Sequence, residues 1–370
     1  MHIQKIGQPK VVMQNPGSKH KYFAWPSVAR LQNGKIAVVA SGFRLRHVCP
    51  FGKAVIAYSE DEGETYTQPA PVIDTVLDDR DSGIVPFGAQ QVIVTSFNNT
   101  VDFQRRCAAG AKDEPYVQAY LDTVTQEEED AVIGSTFRIS NDGGVTFGPL
   151  HRSPVTSPHG PAVLKDGSLL WVGRTFSPRN AKTEYDRVEA HKVFPDGSTE
   201  YVGYIENVAM DGMDPLCCEP HALVLEDGTI LAHIRVQDAL GGAQRLYTTY
   251  QSESRDNGKT WSTPHPVLPP CGGAPAHLMQ HSSGILISTY GFRGIPYGSN
   301  PCGIRCMFSA DKGNTWEVAE EFLYESAHGP DLGYPATIEL NDGSLLTVFY
   351  AGEELYGPTV IKQQKWRLIR

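Results

Sequence analysis

The chain has 370 residues, of which 40% are hydrophobic and 20% are charged, with 36 glycines and 26 prolines. This hydrophobic content argues against a disordered protein, and the net charge of -10 argues against a nucleic-acid partner, which would require a basic surface. The length fits two or three ordinary domains or one large all-β domain.

No apolar run is long enough to span a bilayer, and residues 1–6 lack the apolar segment of a secretory signal. The seven cysteines, Cys271 among them, have spacings that do not repeat. We therefore expect mostly reduced thiols in a cytoplasmic protein without a membrane partner. Cys302 and Cys306 have no matching Cys or His pair at zinc-finger spacing, so we expect neither a metal nor another cofactor.

Six segments share one pattern, an apolar run followed by a turn and a second apolar run. Asn-Gly or Asp-Gly forms the turn in the four clear copies, and such a pair between apolar runs is the strongest short signal for a β-hairpin. In chain order the copies are residues 28–38, 84–94, 162–170, 222–231, 278–287 and 337–346, those at 84–94 and 278–287 being weaker. The sequence therefore predicts six hairpins.

A second motif, Ser-x-Asp-x-Gly-x-Thr-aromatic, occurs four times, at residues 59–66, 140–147, 254–261 and 309–316. Its Asp can accept hydrogen bonds from nearby backbone amides, and its Gly can adopt a positive φ, so the motif predicts a tight turn. We expect this turn to join the outer two strands of a four-stranded blade whose inner half is one of the hairpins. Residues 195–198, Pro-Asp-Gly-Ser, are a degenerate candidate for the same turn.

Six blades of about 60 residues predict one all-β domain over residues 1–370, a six-bladed β-propeller. We expect residues 10–12 to pair with residues 360–369 and close the ring. Residues 100–133 interrupt blade 2 as a partly helical insertion, with helical character at 115–121 and a solvated charge run at 127–130. Three roles are open for the insertion: it forms one wall of the pocket, it contacts a second copy in a homo-oligomer, or it acts as a solvent-exposed spacer.

One face of the ring should carry the chemistry. The hairpin order puts the starts of the first strands and the ends of the second strands on this face, opposite the turns. Arginine, histidine and carboxylate converge there, and guanidinium groups bind carboxylates in a bidentate fork, so an anionic ligand is predicted. The candidate site residues on this face are His47, Asp81, Glu219 and Tyr334, and the candidates for ligand binding are Arg46, Arg80, His159, His221, Arg235, His277 and Arg293.

The four Ser-x-Asp turns are similar to the Asp boxes of the sialidase (neuraminidase) superfamily, which the chain resembles over nearly its whole length. Sialidases hold the sugar carboxylate with three arginines, and they pair a tyrosine nucleophile with a glutamate. The resemblance implies Tyr334 and Glu219 as this pair, and Arg235 and Arg293 as the second and third arginines. A neutral tyrosine suits a sugar whose anomeric carbon carries a carboxylate, because an anionic nucleophile would be repelled.

Two features of the family are missing. Ala24 stands where the first arginine is expected, and residues 44–49 contain no carboxylate for the acid/base. Arg44 or Arg46 is expected to supply the missing charge from another direction. His47 and Asp81 are the candidate proton donors, with Asp81 slightly preferred.

His159, His221 and His277 all fall at starts of first strands. Three histidines near one axis could bind a metal, but we expect hydrogen bonds to sugar hydroxyls or a proton-shuttle role.

The favoured interpretation is a glycoside hydrolase acting on a sialic-acid-like or other carboxylated sugar. Two alternatives stay open: a lyase that cleaves a uronic-acid glycoside in the same pocket with Tyr and His as acid and base, and a non-catalytic carbohydrate-binding propeller. Each predicts an anionic carbohydrate as the partner.

Overall fold

A computed structural model of the protein describes residues 1–176, 187–210, 215–238, 247–270, 275–295, 297–355 and 357–370; Cys271 lies outside them. The described strands form six antiparallel sheets of four or five strands. These are the blades of a six-bladed β-propeller, so the predicted fold is confirmed. The six described cysteines are free thiols.

The strand bounds follow the chain order. The chain begins with β1 (His2–Met13), which belongs to blade 6. Blade 1 contains β2 (Tyr22–Arg30), β3 (Ile36–Arg44), β4 (Lys53–Ser59) and β5 (Ala70–Ile73). Blade 2 contains β6 (Arg80–Phe87), β7 (Gln91–Asn98), the helices α1 (Val101–Ala108), α2 (Glu114–Leu121) and α3 (Gln126–Val132), then β8 (Gly134–Ser140) and β9 (His151–Ser153).

The other four blades complete the ring. Blade 3 contains β10 (Val155–Thr156), β11 (Ala162–Val163), β12 (Leu169–Thr175), β13 (Val188–Val193) and β14 (Thr199–Ile205). Blade 4 contains β15 (Pro215–Val224), β16 (Ile230–Asp238), β17 (Tyr247–Ser254) and β18 (His265–Pro266). Blade 5 contains β19 (Ala276–Gln280), β20 (Leu286–Phe292), β21 (Cys302–Ser309), β22 (Glu317–Val318) and β23 (Tyr324–Ser326), and blade 6 adds β24 (Leu332–Glu339), β25 (Leu345–Gly352) and β26 (Thr359–Ile369).

The ring closes through pairing of the two ends of the chain. β1 runs antiparallel to β26, from His2 opposite Ile369 to Met13 opposite Ile361. The predicted closure is confirmed, and the paired segment is longer than expected because β1 begins at His2.

The core lies between neighbouring blades. The second strands β3 and β25 are buried on both faces because a blade packs on each side. Val38 of blade 1 and Val348 of blade 6 belong to one apolar cluster and are fully buried. This packing fixes the strand ends that carry the site.

The Ser-x-Asp turns join the outer two strands of blades 1, 2, 4 and 5, as predicted. In the first of them Asp61 accepts hydrogen bonds from the Thr65 hydroxyl (2.6 Å) and the Thr65 backbone N–H (2.9 Å). The Ser59 hydroxyl accepts from the backbone N–H of Gly63, whose φ is +79°. Residues 195–198 turn between the outer strands β13 and β14 of blade 3, as predicted, but with the bonds of an Asp-Gly hairpin: the Gly197 N–H donates to the Phe194 carbonyl, and Asp196 accepts from the Ser198 N–H.

The insertion in blade 2 is more helical than the sequence suggested. The helix predicted at 115–121 is confirmed as α2. The charge run at 127–130 forms α3, in which Glu127, Glu128 and Asp130 are exposed, as expected, whereas Glu129 is buried. Thr125 caps this helix and exchanges hydrogen bonds with Glu128, and acidic residues in a first turn are favoured by the helix dipole. Within the part of the chain that the structure describes, no helix combines the length and apolar character needed to cross a bilayer.

Candidate active site

Four first strands carry the same β-bulge at one end of the ring. The register shifts between Ala24 and Ser27, Arg80 and Gly83, Cys218 and His221, and Gly333 and Ala336. Each bulge puts one residue into the left-handed region, with φ between 48° and 53°: Trp25, Asp81, Glu219 and Tyr334. Non-glycine residues rarely adopt this conformation, and it concentrates at functional sites. Three of these four residues, Asp81, Glu219 and Tyr334, are predicted catalytic residues. They therefore occupy equivalent positions in their blades.

Tyr334, Glu219 and Arg235 form a hydrogen-bonded group. The Tyr334 hydroxyl donates to Glu219 Oε1 at 2.5 Å, and Arg235 Nη1 donates to Glu219 Oε2 at 2.5 Å. Arg235 Nη1 also lies 3.4 Å from the Tyr334 oxygen. Burial, followed by the negative charges of Glu219 and Asp81, raises the pKa of Tyr334 well above its ordinary value. Tyr334 is therefore a neutral phenol beside a carboxylate that can accept its proton.

Asp81 is a buried carboxyl group with a perturbed titration. Burial raises the pKa of Asp81 to about 7, and Arg80 partly opposes this increase. Its Oδ1 atom is buried and has no hydrogen-bond partner among the described residues. A carboxyl group that keeps its proton near neutral pH can act as a general acid.

His47 lies in the same cluster, but it is surrounded by positive charge. Its ring meets the Trp25 ring edge-on at 4.9 Å, and its Nε2 atom is 3.3 Å from Arg80 Nη2. Burial, together with the charges of Arg80 and three other arginines, lowers the pKa of His47 to about 2. His47 is therefore neutral at physiological pH and lacks the imidazolium proton that an acid would donate.

Three buried arginines face the cluster. Arg235 and Arg293 come from the ends of the second strands, as predicted, and Arg80 comes from the start of β6. Arg293 donates to the carbonyl of Leu332 from Nε (3.0 Å) and from Nη2 (2.9 Å), and Nη2 also donates to the Tyr350 hydroxyl (3.1 Å).

Arg80 lies over the indole of Trp25, with its guanidinium carbon 4.2 Å from a ring centroid. Among the described residues its buried Nε atom has no hydrogen-bond partner, and the same holds for Nε of Arg235. Donors therefore remain for an anionic ligand.

The two arginines expected to replace the missing one are already paired. Arg44 is fully buried and forms an ion pair with Asp78 at 2.6 Å. Arg46 forms an ion pair with Asp113 of the insertion at 2.9 Å, and a quarter of its side chain is exposed. Binding of substrate by Arg46 stays a prediction.

A cavity of about 270 Å³ adjoins this group. Asp81, Glu219 and Arg235 line one side of it. The remaining wall is mixed, with Phe97 and Phe176 in edge-to-face contact (5.1 Å) and polar side chains that include Asn99, Arg174 and Gln237. The cavity is suited to a ligand with both polar and apolar faces.

The three predicted histidines lie together but in a different cavity. The ring centroids of His159, His221 and His277 are 4.4 to 5.3 Å apart. They line a cavity of about 360 Å³ together with residues further along the first strands, toward the opposite face. Their predicted contact with substrate is therefore not supported by their place in the ring, and it stays a prediction.

Some residues of the cluster were not predicted to act there. Trp25 occupies the bulge of blade 1. The Tyr22 hydroxyl donates to Asp331 at 2.9 Å on the same face of the ring. A signal for Trp25 was present: Trp25-Pro26, Glu219-Pro220 and Tyr334-Pro335 each begin nine residues before the Gly of their hairpin turn. Tyr22 carries no comparable sequence signal, because its role depends on contact between blades 1 and 6.

No family model matches the sequence, and no curated protein matches it. Solved structures match over nearly the whole chain. A protein of unknown function from Dyadobacter fermentans is 18% identical with a TM-score of 0.71, and the match covers 99% of each chain. An intramolecular trans-sialidase from Ruminococcus gnavus, solved in complex with oseltamivir carboxylate, is 13% identical with a TM-score of 0.65 over 97% of each chain. The α-L-arabinanase of Penicillium chrysogenum, solved with arabinobiose, is 13% identical with a TM-score of 0.61 over 99% of this chain and 98% of that one. At these identities the similarity establishes the propeller fold, which sialidases share, and not the chemistry.

Proposed function

We propose that the protein is a glycoside hydrolase with a sialidase-like catalytic group, acting on a glycoside whose sugar carries a carboxylate. The observation that carries this proposal is the hydrogen bond from the Tyr334 hydroxyl to Glu219, at 2.5 Å. A buried neutral phenol becomes a nucleophile only when a base takes its proton, and Glu219 is in contact to do so.

The proposed reaction has two steps. In the first, Glu219 takes the phenolic proton while the Tyr334 oxygen bonds to the anomeric carbon. The bond to the leaving group breaks, and its oxygen receives the proton of Asp81. In the second step Asp81 takes a proton from water, the water oxygen bonds to the anomeric carbon, and the released Tyr334 oxygen recovers its proton from Glu219. Two displacements at one carbon retain the anomeric configuration.

The substrate carboxylate is assigned to Arg235, Arg293 and Arg80. Guanidinium groups in a dry site favour an anion strongly, and each of these side chains is about nine-tenths buried. Arg80 supplies the charge that Ala24 cannot provide. Because Arg80 approaches from blade 2, the accepted sugar is expected to differ in outline from ordinary sialic acid, which remains the first substrate to try.

The test is turnover of a panel of aryl glycosides of carboxylated sugars, sialosides first. Tyr334→Phe and Glu219→Gln should each lower kcat by at least about 100-fold while the ligand still binds in calorimetry. Tyr66→Phe is the matched control, because Tyr66 is a largely buried tyrosine whose hydroxyl bonds Gln363 at the opposite face. If the parent binds the sugar and turns over none of the panel, the protein is a binding propeller and the hydrolase proposal fails.

The buried arginines favour one second candidate, a uronic-acid lyase. Arg80, Arg235 and Arg293 would neutralise a carboxylate next to the carbon that loses its proton. Elimination leaves an unsaturated sugar that absorbs in the ultraviolet, whereas hydrolysis does not. Absorbance during digestion of an oligouronide therefore separates the two reactions.

A further inference from the structure

The central channel of the ring is closed on the catalytic side by three histidines. Along β15 the chain passes from Glu219, on the catalytic face, to His221 and then to Val224, which lines the channel. His159 and His277 reach the same level from blades 3 and 5. Beyond them the cavity of about 360 Å³ is lined mainly by aliphatic side chains, among them Val28 and Ile84.

Backbone hydrogen bonds fix how two of these rings are protonated. The backbone N–H of Leu278 donates to His221 Nδ1 at 2.9 Å, and the backbone N–H of Thr337 donates to His277 Nδ1 at 3.3 Å. A ring nitrogen that accepts a hydrogen bond holds a lone pair, so in the neutral ring the proton is on Nε2. Burial lowers the pKa of all three histidines well below the ordinary value, which keeps the rings neutral.

The third histidine has an unsatisfied nitrogen. His159 is 2% exposed, and its Nε2 atom is buried without a hydrogen-bond partner among the described residues. Its Nδ1 atom is 3.4 Å from the Ser27 hydroxyl, which can accept or donate. Leaving a buried polar nitrogen unpaired is costly, so the structure calls for a ligand at this point.

This arrangement disfavours a metal cation. A metal would need the lone pair of Nε2, and moving the proton to Nδ1 would set it against the backbone N–H of Leu278 or Thr337. Among the residues that the structure describes, no group of His, Cys, Asp or Glu is arranged to hold a metal ion. What the rings of His221 and His277 offer is buried N–H donors, and these are complementary to an acceptor.

We propose that His159, His221 and His277 form a binding site for a small inorganic anion, of halide size, at the inner end of the axial channel. The site is separate from the cavity beside Asp81 and Glu219, and it does not depend on the proposed hydrolase activity. The two nearly parallel rings, His221 and His277, lie 4.4 Å apart and supply the donors, and His159 covers them edge-on.

Crystals of the full chain soaked in sodium bromide test this directly. An anomalous bromide peak is expected within hydrogen-bond distance of the Nε2 atoms of His221 and His277 in the parent protein and not in His277→Leu. An ordered water at that position without anomalous signal overturns the proposal, as does bromide that binds only elsewhere.

Thermal unfolding gives a solution test. At constant ionic strength, replacing gluconate by chloride should raise the Tm of the parent along a saturable single-site curve. The rise should be absent in His277→Leu and partly restored in His277→Gln, which keeps an N–H donor. His281→Gln is the control, because His281 lies at the turn face and bonds Gly343 there. If His277→Leu does not fold, His221→Leu takes its place. An equal chloride response in parent and variants overturns the site, and so does stabilisation by zinc without any by halide. Since neither readout involves turnover, failure of this site and failure of the proposed hydrolase are distinguishable.

Discussion

The titration of Asp81 gives the sharpest prediction about catalysis. The carboxyl group has a pKa of about 7 in place of 3.8, because burial disfavours its charged form. This difference corresponds to about 4 kcal/mol in favour of the protonated form. About half of the molecules should then carry the Asp81 proton at pH 7, about a tenth at pH 8 and about a hundredth at pH 9.

The expected assay result is a kcat/KM that falls about tenfold per pH unit above pH 7. Asp81→Asn should abolish this alkaline limb and lower the rate by about 100- to 10,000-fold for poor leaving groups. The loss should be smaller for nitrophenyl glycosides, whose leaving oxygen needs little protonation.

Substitution of Arg80 tests whether titration of Asp81 causes the fall in kcat/KM at alkaline pH. Its positive charge lowers the pKa of Asp81, so Arg80→Ala should move the alkaline limb to higher pH. Arg46→Ala, which removes a charge paired with Asp113, should leave the limb in place. A limb near pH 4 in the parent, or no difference between the two variants, would refute the reasoning. Carbon-13 NMR can follow the same carboxyl titration without a substrate, with Asp81→Asn identifying the signal.

Three further predictions concern the fold. Ser309→Ala should lower the free energy of unfolding by about 1–3 kcal/mol, because it leaves the buried N–H of Gly313 without its acceptor. Urea denaturation measures this change. An unchanged midpoint of the urea unfolding curve would contradict the role given to this turn. Deletion of residues 2–13 should abolish cooperative thermal unfolding, because it exposes the edge of β26 and opens the ring. A cooperative transition at the parent Tm would show that pairing of β1 with β26 contributes little to stability. Ala24→Arg should destabilise the protein by at least about 3 kcal/mol and should not add a third arginine to the site. The reason is that Ala24 is fully buried in the apolar cluster between blades 1 and 6. A stable variant with tighter sialoside binding would contradict this prediction.

The sequence predicted the architecture well because its signals are local. A hairpin such as the one at residues 222–231 depends on its own Asp-Gly turn. Each Ser-x-Asp turn depends on bonds within seven residues, such as those from Gly63 to Ser59 and from Thr65 to Asp61. Because these local signals recur along the chain, they were sufficient to predict a six-bladed propeller. The insertion was less well predicted, since burial of Glu129 results from its contact with the backbone N–H of Val101, 28 residues away.

The site was predictable only in part, for the same reason. Strand positions placed Tyr334, Glu219 and Asp81 on one face, and the resemblance to sialidases implied the pairing of Tyr334 with Glu219. The sequence could not show which charges act on each group. His47 and Asp81 were similar candidates for the proton donor in the sequence. In the structure burial and the charges of four arginines keep His47 neutral, while burial raises the pKa of Asp81 to about 7. These effects come from residues of several different blades.

The missing arginine is best explained by the bulge that the four strands share. In blade 1 the bulge presents Trp25, and its large ring covers the bottom of the cluster while Ala24 is turned into the core. Arg80 stacks on this ring and donates to the carbonyl of His47 at 2.9 Å, so the indole and the His47 loop together orient its guanidinium. An indole at this bulge therefore does two things at once: it removes the room that a blade 1 arginine would need, and it provides the surface on which an arginine from blade 2 is held. Under the proposed function, Ala24 and Trp25 therefore form one feature of the site, and Arg80 supplies the positive charge.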